Sequence, residues 1–241
     1  MELSSIEFSK IITCLNNEFN DEKGKYYLNN TYQIFNNSFL FKFNHSLKAK
    51  KFLIINPKIG IWISEFDLKD KTAEGYVNSL RKNLTRGKII KLEQPNGERI
   101  CIITFETKKG IRKLICEFFR EGNLIVIDQN NKILSCLNQL NVRHRNIIPG
   151  GKYELPPEHG KDILDLQYKD ILQIQQSNIE IAKWIGRNYS ISKKYVEEIL
   201  KDLSDEKSFF AVLKEMNIES SEDVTDAIVL KATAGGGKSK V

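Results

Sequence analysis

The densest chemistry in the sequence is cationic. Arg143-His144-Arg145 lies in a stretch from Val142 to Pro157 whose Pro and Gly residues are incompatible with a regular element. Two guanidiniums on such a loop could fork onto phosphate oxygens. The competing reading is an internal ion pair that ties the loop to a sheet. His144, between the arginines, suits phosphate or backbone contact better than base catalysis. A second cationic pair, Lys193-Lys194, opens a helical pattern that follows Trp184–Arg187 and the turn Ser190-Ile191-Ser192. Amides at the start of a helix bind phosphate, and this layout resembles a helix-hairpin-helix module. The turn lacks the glycines that let backbone approach phosphate closely, so a purely structural helical hairpin stays open. Glu98-Arg99 follows the turn Pro95-Asn96-Gly97. On its own it reads as a turn-flanking ion pair of small energetic weight.

Other chemistries are poorly served. The cysteines Cys14, Cys101, Cys116 and Cys136 are scattered, with no Cys-x-x-Cys and no histidine at ligand spacing. No metal site is expected, and the thiols read as small buried hydrophobes. Only His45, His144 and His159 are available as bases, and no nucleophile, base and orienting group stand out together. The expectation is a binding protein without catalytic residues or cofactor. The tail Gly235-Gly236-Gly237-Lys238-Ser239 invites a phosphate-loop reading. Ala232 occupies the position of the required first glycine, and no helix pattern follows.

Helices and strands must position these groups. Ser4–Phe19 has apolar residues at three- and four-residue steps, and Ser4-Ser5-Ile6-Glu7 fits a capping box. Strand patterns follow at Asn30–Ile34, Ser38–Phe43, Lys51–Asn56 and Gly60–Ser64. Thr72–Arg86 returns to helical spacing. Lys88–Glu93, Arg99–Glu106, Arg112–Phe119 and Asn123–Asp128 then read as strands, the last joined to Lys132–Leu137 by a hairpin turn. Beyond the Pro/Gly stretch the patterns are helical: Asp162–Gln176, Asn178–Asn188, Ser192–Leu203, Asp205–Met216 and Ser221–Lys231. Strands first and helices afterwards indicate α+β. The expected division is a β-rich domain over 1–160, an all-α domain over 161–231 and a flexible tail over 232–241.

Composition sets the outer bounds. The chain has 241 residues, 41% hydrophobic and 28% charged, enough apolar content for a real core. No apolar run reaches the 18 residues of a membrane span, and the N-terminal residues carry no signal-peptide pattern. An intracellular protein is expected. Residues 1–120 hold 21 Lys and Arg against 13 Asp and Glu, whereas 121–241 hold 16 against 18. The basic excess therefore sits in the first half. It peaks at Arg81, Lys82, Arg86, Lys88 and Lys91, and again at Lys108, Lys109, Arg112 and Lys113. Polyanion binding is one reading of these clusters; a lysine-rich solvated surface is the other.

Taken in order, several stretches resemble the N-terminal region of the NFACT family, which includes the RqcH and NEMF-type ribosome-associated quality-control factors. They are the opening helix, Ser79-Leu80-Arg81-Lys82-Asn83-Leu84-Thr85-Arg86-Gly87-Lys88-Ile89, Gly97-Glu98-Arg99-Ile100 and Glu117-Phe118-Phe119-Arg120-Glu121-Gly122-Asn123-Leu124-Ile125-Val126-Ile127-Asp128. Val142-Arg143-His144-Arg145 with Pro149-Gly150, Tyr153 and Pro156-Pro157 follows, and then Lys194-Tyr195-Val196-Glu197-Glu198-Ile199. The resemblance runs to about residue 230, and the Lys- and Asn-rich composition looks most like archaeal members.

The resemblance implies a β-sandwich like the N-terminal domain of formamidopyrimidine-DNA glycosylase, followed by a helix-hairpin-helix domain. It implies a cytoplasmic RNA-binding adaptor that recognises tRNA on a stalled large ribosomal subunit and supports template-free tailing of the nascent chain. The family's acidic residue of the first helix falls on Glu7, and its Asp-Arg pair for tRNA recruitment on Glu98-Arg99. Both acidic positions are Glu where the family more often has Asp. Arg143, His144, Arg145, Lys193 and Lys194 complete the expected tRNA contacts, with weak non-specific nucleic-acid binding besides. Coiled coils and a further domain of the family are missing, so the chain reads as a fragment or a truncated member. A glycosylase-type enzyme is one competing reading, although Met1-Glu2-Leu3 lacks the N-terminal proline of those enzymes. A protein-docking domain is the other.

Overall fold

The computed structural model describes residues 5–20, 24–35, 37–68, 72–95, 97–142, 145–157, 160–161 and 181–189. They form two compact units. The first comprises Ser9–Pro95 and Arg99–Pro156; the described parts of the second are residues 5–8, 97–98, 157, 160–161 and 181–189.

The first unit is built on an antiparallel sheet of nine strands. In chain order they are β1 Tyr27–Phe35, β2 Ser38–Asn44, β3 Lys51–Asn56, β4 Gly60–Ser64, β5 Lys88–Glu93, β6 Ile100–Thr107, β7 Gly110–Glu117, β8 Asn123–Asp128 and β9 Ile133–Cys136. Their spatial order is β4-β3-β2-β1-β5-β6-β7-β8-β9. Each strand therefore lies beside its sequence neighbour except where β1 meets β5. That seam is narrow, with Tyr27 opposite Lys88 and a flanking hydrogen bond from Leu28 N to Gly87 O at 2.9 Å.

The sheet turns back on itself at the seam. In a flat sheet β2 and β6 would be about 14 Å apart, at roughly 4.8 Å per strand. Instead the Phe43 ring on β2 stacks on Phe105 of β6 with centroids 6.3 Å apart. Two helices close the gaps between the halves. α1, Ser5–Phe19, sets Phe19 edge-on against Tyr26 and Phe43, and Asn16 Oδ1 accepts from Leu92 N at 3.3 Å. α2, Tyr76–Leu84, buries Val77, Leu80 and Leu84. Its Tyr76 hydroxyl donates to Leu124 O at 2.8 Å, and Arg81 Nε donates to Thr31 O at 2.8 Å. One helix thus reaches both β8 and β1.

The outer face of β6–β9 is covered as well. A two-stranded ribbon, β10 Leu140–Val142 and β11 Arg145–Ile147, joins Ile147 and Tyr153 to a cluster of Ile100, Ile115, Ile125, Ile127 and Ile133. With both faces covered, β8 needs no alternation, and Leu124-Ile125-Val126-Ile127 is buried throughout.

The α+β expectation and its large antiparallel sheet hold, and β3, β4, β5 and β8 have the expected bounds. α2 begins later than its apolar spacing suggests. Thr72 exchanges backbone hydrogen bonds with Gln33 at 2.8 and 3.0 Å, and Gly75, at φ 59, starts the helix. Part of the segment expected to be irregular is the β10–β11 ribbon. Of the helices expected beyond residue 160, those other than the one ending at Asn188 lie outside the described residues. In the second unit that helix is α3, Ile181–Asn188, followed by Tyr189, whose ring packs on Trp184.

Two backbone positions stand out in the first unit. Gly122, at φ 69, leaves no room for a side chain: a Cβ there would sit 2.3 Å from Pro57 O. Arg86, just past the end of α2, holds φ 62. That region costs a non-glycine residue about 1–2 kcal/mol.

Candidate nucleic-acid interface

The strand ends of β6 and β7 hold two of the described candidate residues, Arg99 and Arg145. Gly97, at φ 63, leads through Glu98 into Arg99, and Arg99 O accepts from Phe118 N at 2.9 Å. Ile100 is the register partner of Glu117. Arg99 is therefore pinned by its backbone at the start of β6, beside the end of β7. Its side chain is partly exposed. Glu98 is also partly exposed but groups with the second unit, as does Glu7 in the first turn of α1. The two carboxylates, 91 positions apart, thus share a unit.

Arg145 reaches the same strand ends and is committed to the protein interior. Its Nη1 donates to Glu117 Oε2 at 3.0 Å, and Nη2 pairs with Glu117 Oε1. Nε and Nη2 also donate to Glu154 O at 3.3 and 3.2 Å. The guanidinium lies over the Tyr153 ring, 5.3 Å from its centroid. Tyr153 Oη donates to Glu117 Oε1 at 2.9 Å. Side-chain exposure is 10% for Arg145 and 4% for Glu117, which leaves little room for a phosphate. Of the two readings of this arginine, the geometry carries the internal ion pair. Burial works against the charge of Arg145, while the hydrogen bond and field of Glu117 favour it and leave the guanidinium held above its usual value. Burial, then the Glu117 carboxylate, pushes the Tyr153 phenol up.

Glu117 and Tyr153 stand in the motifs that carry the family resemblance, yet neither was expected to hold Arg145. One signal was available: Glu117 ends the apolar run Leu114-Ile115-Cys116, where a carboxylate needs a buried partner. Arg143 and His144 fall between the paired Val142 and Arg145 in sequence and lie outside the described residues. Lys193 and Lys194 lie outside them too.

The two basic clusters of the first half, distant in sequence, meet at Lys82 and Lys109. β6 and β7 are joined by a tight turn with Lys108 and Lys109 at its tip. Thr107 Oγ1 donates to Gly110 O at 2.8 Å and accepts from Lys109 N at 3.1 Å. Gly110, at φ 92, takes the left-handed position. Lys109 Nζ then donates to Lys82 O, near the end of α2, at 3.3 Å. Next to it, a Cβ on Gly87 would lie 3.1 Å from Thr107 Cγ2.

Among the described residues no group of His, Cys, Asp or Glu is arranged to hold a metal ion. No helix among them is long and apolar enough to cross a membrane.

The chain is similar to known proteins in sequence and in fold. The archaeal Rqc2 homolog aRqcH of Methanocaldococcus jannaschii is 32% identical over 180 residues, 68% of this chain and 27% of that protein. The ribosome quality control complex subunit 2 of Saccharomyces cerevisiae is 28% identical over 204 residues, 82% of this chain and 18% of its own. The chain thus spans about a quarter or less of these relatives. In fold it matches the N-terminal domain of the fibronectin-binding protein PavA from Streptococcus pneumoniae, with a TM-score of 0.69, 20% identity, and 82% and 79% of the two chains covered. The N-terminal part of the fibronectin/fibrinogen-binding protein from Streptococcus suis gives 0.71, 19%, 88% and 85%. These likenesses place the large antiparallel sheet and its helices in a known architecture. Residues 10–237 match the model of the NFACT N-terminal and middle domains, and the chain belongs to the NFACT family.

Proposed function

We propose that this chain is the RNA-recognising N-terminal part of a ribosome-associated quality-control factor. It holds tRNA on a large ribosomal subunit that still carries a stalled chain, and supports template-free tailing there. The observation that carries this reading is the match of 82% of the chain to a relative named as a ribosome quality control complex subunit. The backbone anchoring of Arg99 supports it physically, because a fixed backbone leaves only side-chain freedom to be lost when the guanidinium meets a phosphate.

In this reading Arg99 contacts tRNA, and Glu98 orients it or accepts from a sugar hydroxyl. Glu7 contributes from α1. Arg143 and His144 meet phosphate, with Arg145 positioning their loop through Glu117. Lys193 and Lys194 supply phosphate contacts from a helix-hairpin-helix domain over 161–231, beyond the sheet domain over 1–160. The chain acts as an adaptor in the cytoplasm, and the ribosome performs the peptide chemistry.

The test is binding to tRNA, duplex DNA and isolated large subunits at two salt concentrations. Salt-sensitive preference for tRNA or the subunit, lost when Glu98 and Arg99 are both changed to alanine, supports the reading. Equal weak binding to all three, unchanged in that variant, overturns it for this chain.

A further inference from the structure

We infer that Lys82, Arg86, Lys108 and Lys109 form a second phosphate-binding surface, which takes the backbone of a helical RNA segment at the end of the sheet opposite Arg99. The inference rests on the RNA-binding reading and adds a distinct site to it.

Charge distribution is the first support. Five lysines of the first unit are paired with carboxylates: Lys42 with Asp67, Lys51 with Glu18, Lys58 with Glu121, Lys88 with Glu106 and Lys91 with Glu93. Lys82, Arg86, Lys108 and Lys109 are all exposed, and none forms an ion pair with a carboxylate among the described residues. Two of those paired lysines, Lys88 and Lys91, lie on the strand that follows Arg86.

Pre-organisation is the second. The turn that presents Lys108 and Lys109 is locked by the Thr107 hydroxyl, and Lys109 Nζ is held against Lys82 O. An ammonium has three donors; one is used there, and two remain for phosphate oxygens. A surface fixed in this way loses less side-chain freedom on binding than scattered lysines would.

Arg86 is an independent observation. Arg86 N donates to Leu28 O at 2.8 Å, so the left-handed backbone is imposed by β1. Gly87, which would take that conformation without strain, is displaced by one position. Asn37, Arg120 and Asn131 also hold a positive φ, but Arg86 is the one next to Gly87, whose backbone packs against Thr107 of the β6–β7 turn.

Position completes the argument. Arg99 and Lys108 bracket β6, about 30 Å apart at roughly 3.4 Å per residue. An RNA duplex is A-form, and a span of this length takes in about one of its helical turns. One RNA arm can therefore lie along the strand with its backbone on the patch and its end near Arg99.

The experiment titrates bulk tRNA and a short RNA duplex against the 241-residue chain over a range of salt. Each phosphate contact adds about 0.7–0.9 to the slope of log K against log salt. Lys108→Ala with Lys109→Ala should lower that slope by about 1.5 for both probes. Arg86→Gly should lower it by nearly one while leaving the melting temperature unchanged or higher, which separates lost binding from lost folding. Unchanged slopes in these variants overturn the inference. If Glu98→Ala with Arg99→Ala still abolishes tRNA preference in that case, the proposed function stands without this surface. A wild-type chain whose binding ignores salt refutes both.

Discussion

Replacing Arg145 by alanine strands the Glu117 carboxylate in the sheet. Wild-type Glu117 has three donors, two from the guanidinium and one from Tyr153. After the change only the phenol remains of these donors. Breaking one side of a buried pair costs about 3–5 kcal/mol. The two lost bonds to Glu154 O add about 1 kcal/mol each at most, and slight solvent access at the 10%-exposed Arg145 position offsets part of this. A loss of about 3–4 kcal/mol is expected, a large share of the roughly 5–15 kcal/mol that holds such a domain together. Urea unfolding followed by far-ultraviolet circular dichroism measures it. Glu117→Leu combined with Arg145→Met removes both charges and should cost less than Arg145→Ala alone. A loss below about 1 kcal/mol, or a double variant as damaged as the single one, would refute the reasoning.

Other expectations follow from packing and titration. Gly122→Ala forces a left-handed backbone and a Cβ against Pro57; a loss of at least about 2 kcal/mol is expected in the same unfolding assay. Burial raises the Tyr153 and Tyr76 phenols above their ordinary value of 10.0. The folded state therefore keeps protons that the unfolded chain releases. This contribution is intact below pH 10 and is lost as pH rises beyond it, at about 1.4 kcal/mol per pH unit for each phenol. Urea midpoints that stay level from pH 10 to 11 would contradict it. Burial likewise pushes the Cys101 and Cys116 thiols up, whereas Cys14 is exposed. A thiol-reactive disulfide reagent should modify Cys14 at once and reach the other two no faster than the chain unfolds; immediate labelling of all three would contradict the packing.

Local patterns located the strands because alternation and apolar runs are local properties. Lys51–Asn56 and Asn123–Asp128 were legible to the residue. The start of α2 was not, because Thr72 pairs with Gln33, 39 positions earlier, and helical spacing carries no trace of such a partner. The β10–β11 ribbon was missed for a similar reason. Its strands have three residues each, too short for a period, and are held by Ile147 and Tyr153 packing on strands formed earlier in the chain. At the candidate site the residue types were legible and their commitments were not. In sequence Arg145 reads equally as a phosphate contact or as an internal ion pair, and only the placement of Glu117 shows where its charge is spent. The two basic clusters likewise gave no sign of meeting until α2 was placed beside the β6–β7 turn.

The narrow β1–β5 seam bears on how the chain folds as it emerges from a ribosome. Every other strand pairing in the sheet joins sequence neighbours, so β1–β4 and β5–β9 can each form as a ladder of hairpins with short loops to close. The first ladder is complete once Ser64 has been synthesised, before any residue of β5 exists. Only the closing step is non-local: it brings Tyr27 to Lys88 and lets α1 and α2 cover the gaps. Until then the inner aromatic faces of both ladders are open to water, and the interval between synthesis of β4 and β5 is when this domain is most exposed to aggregation.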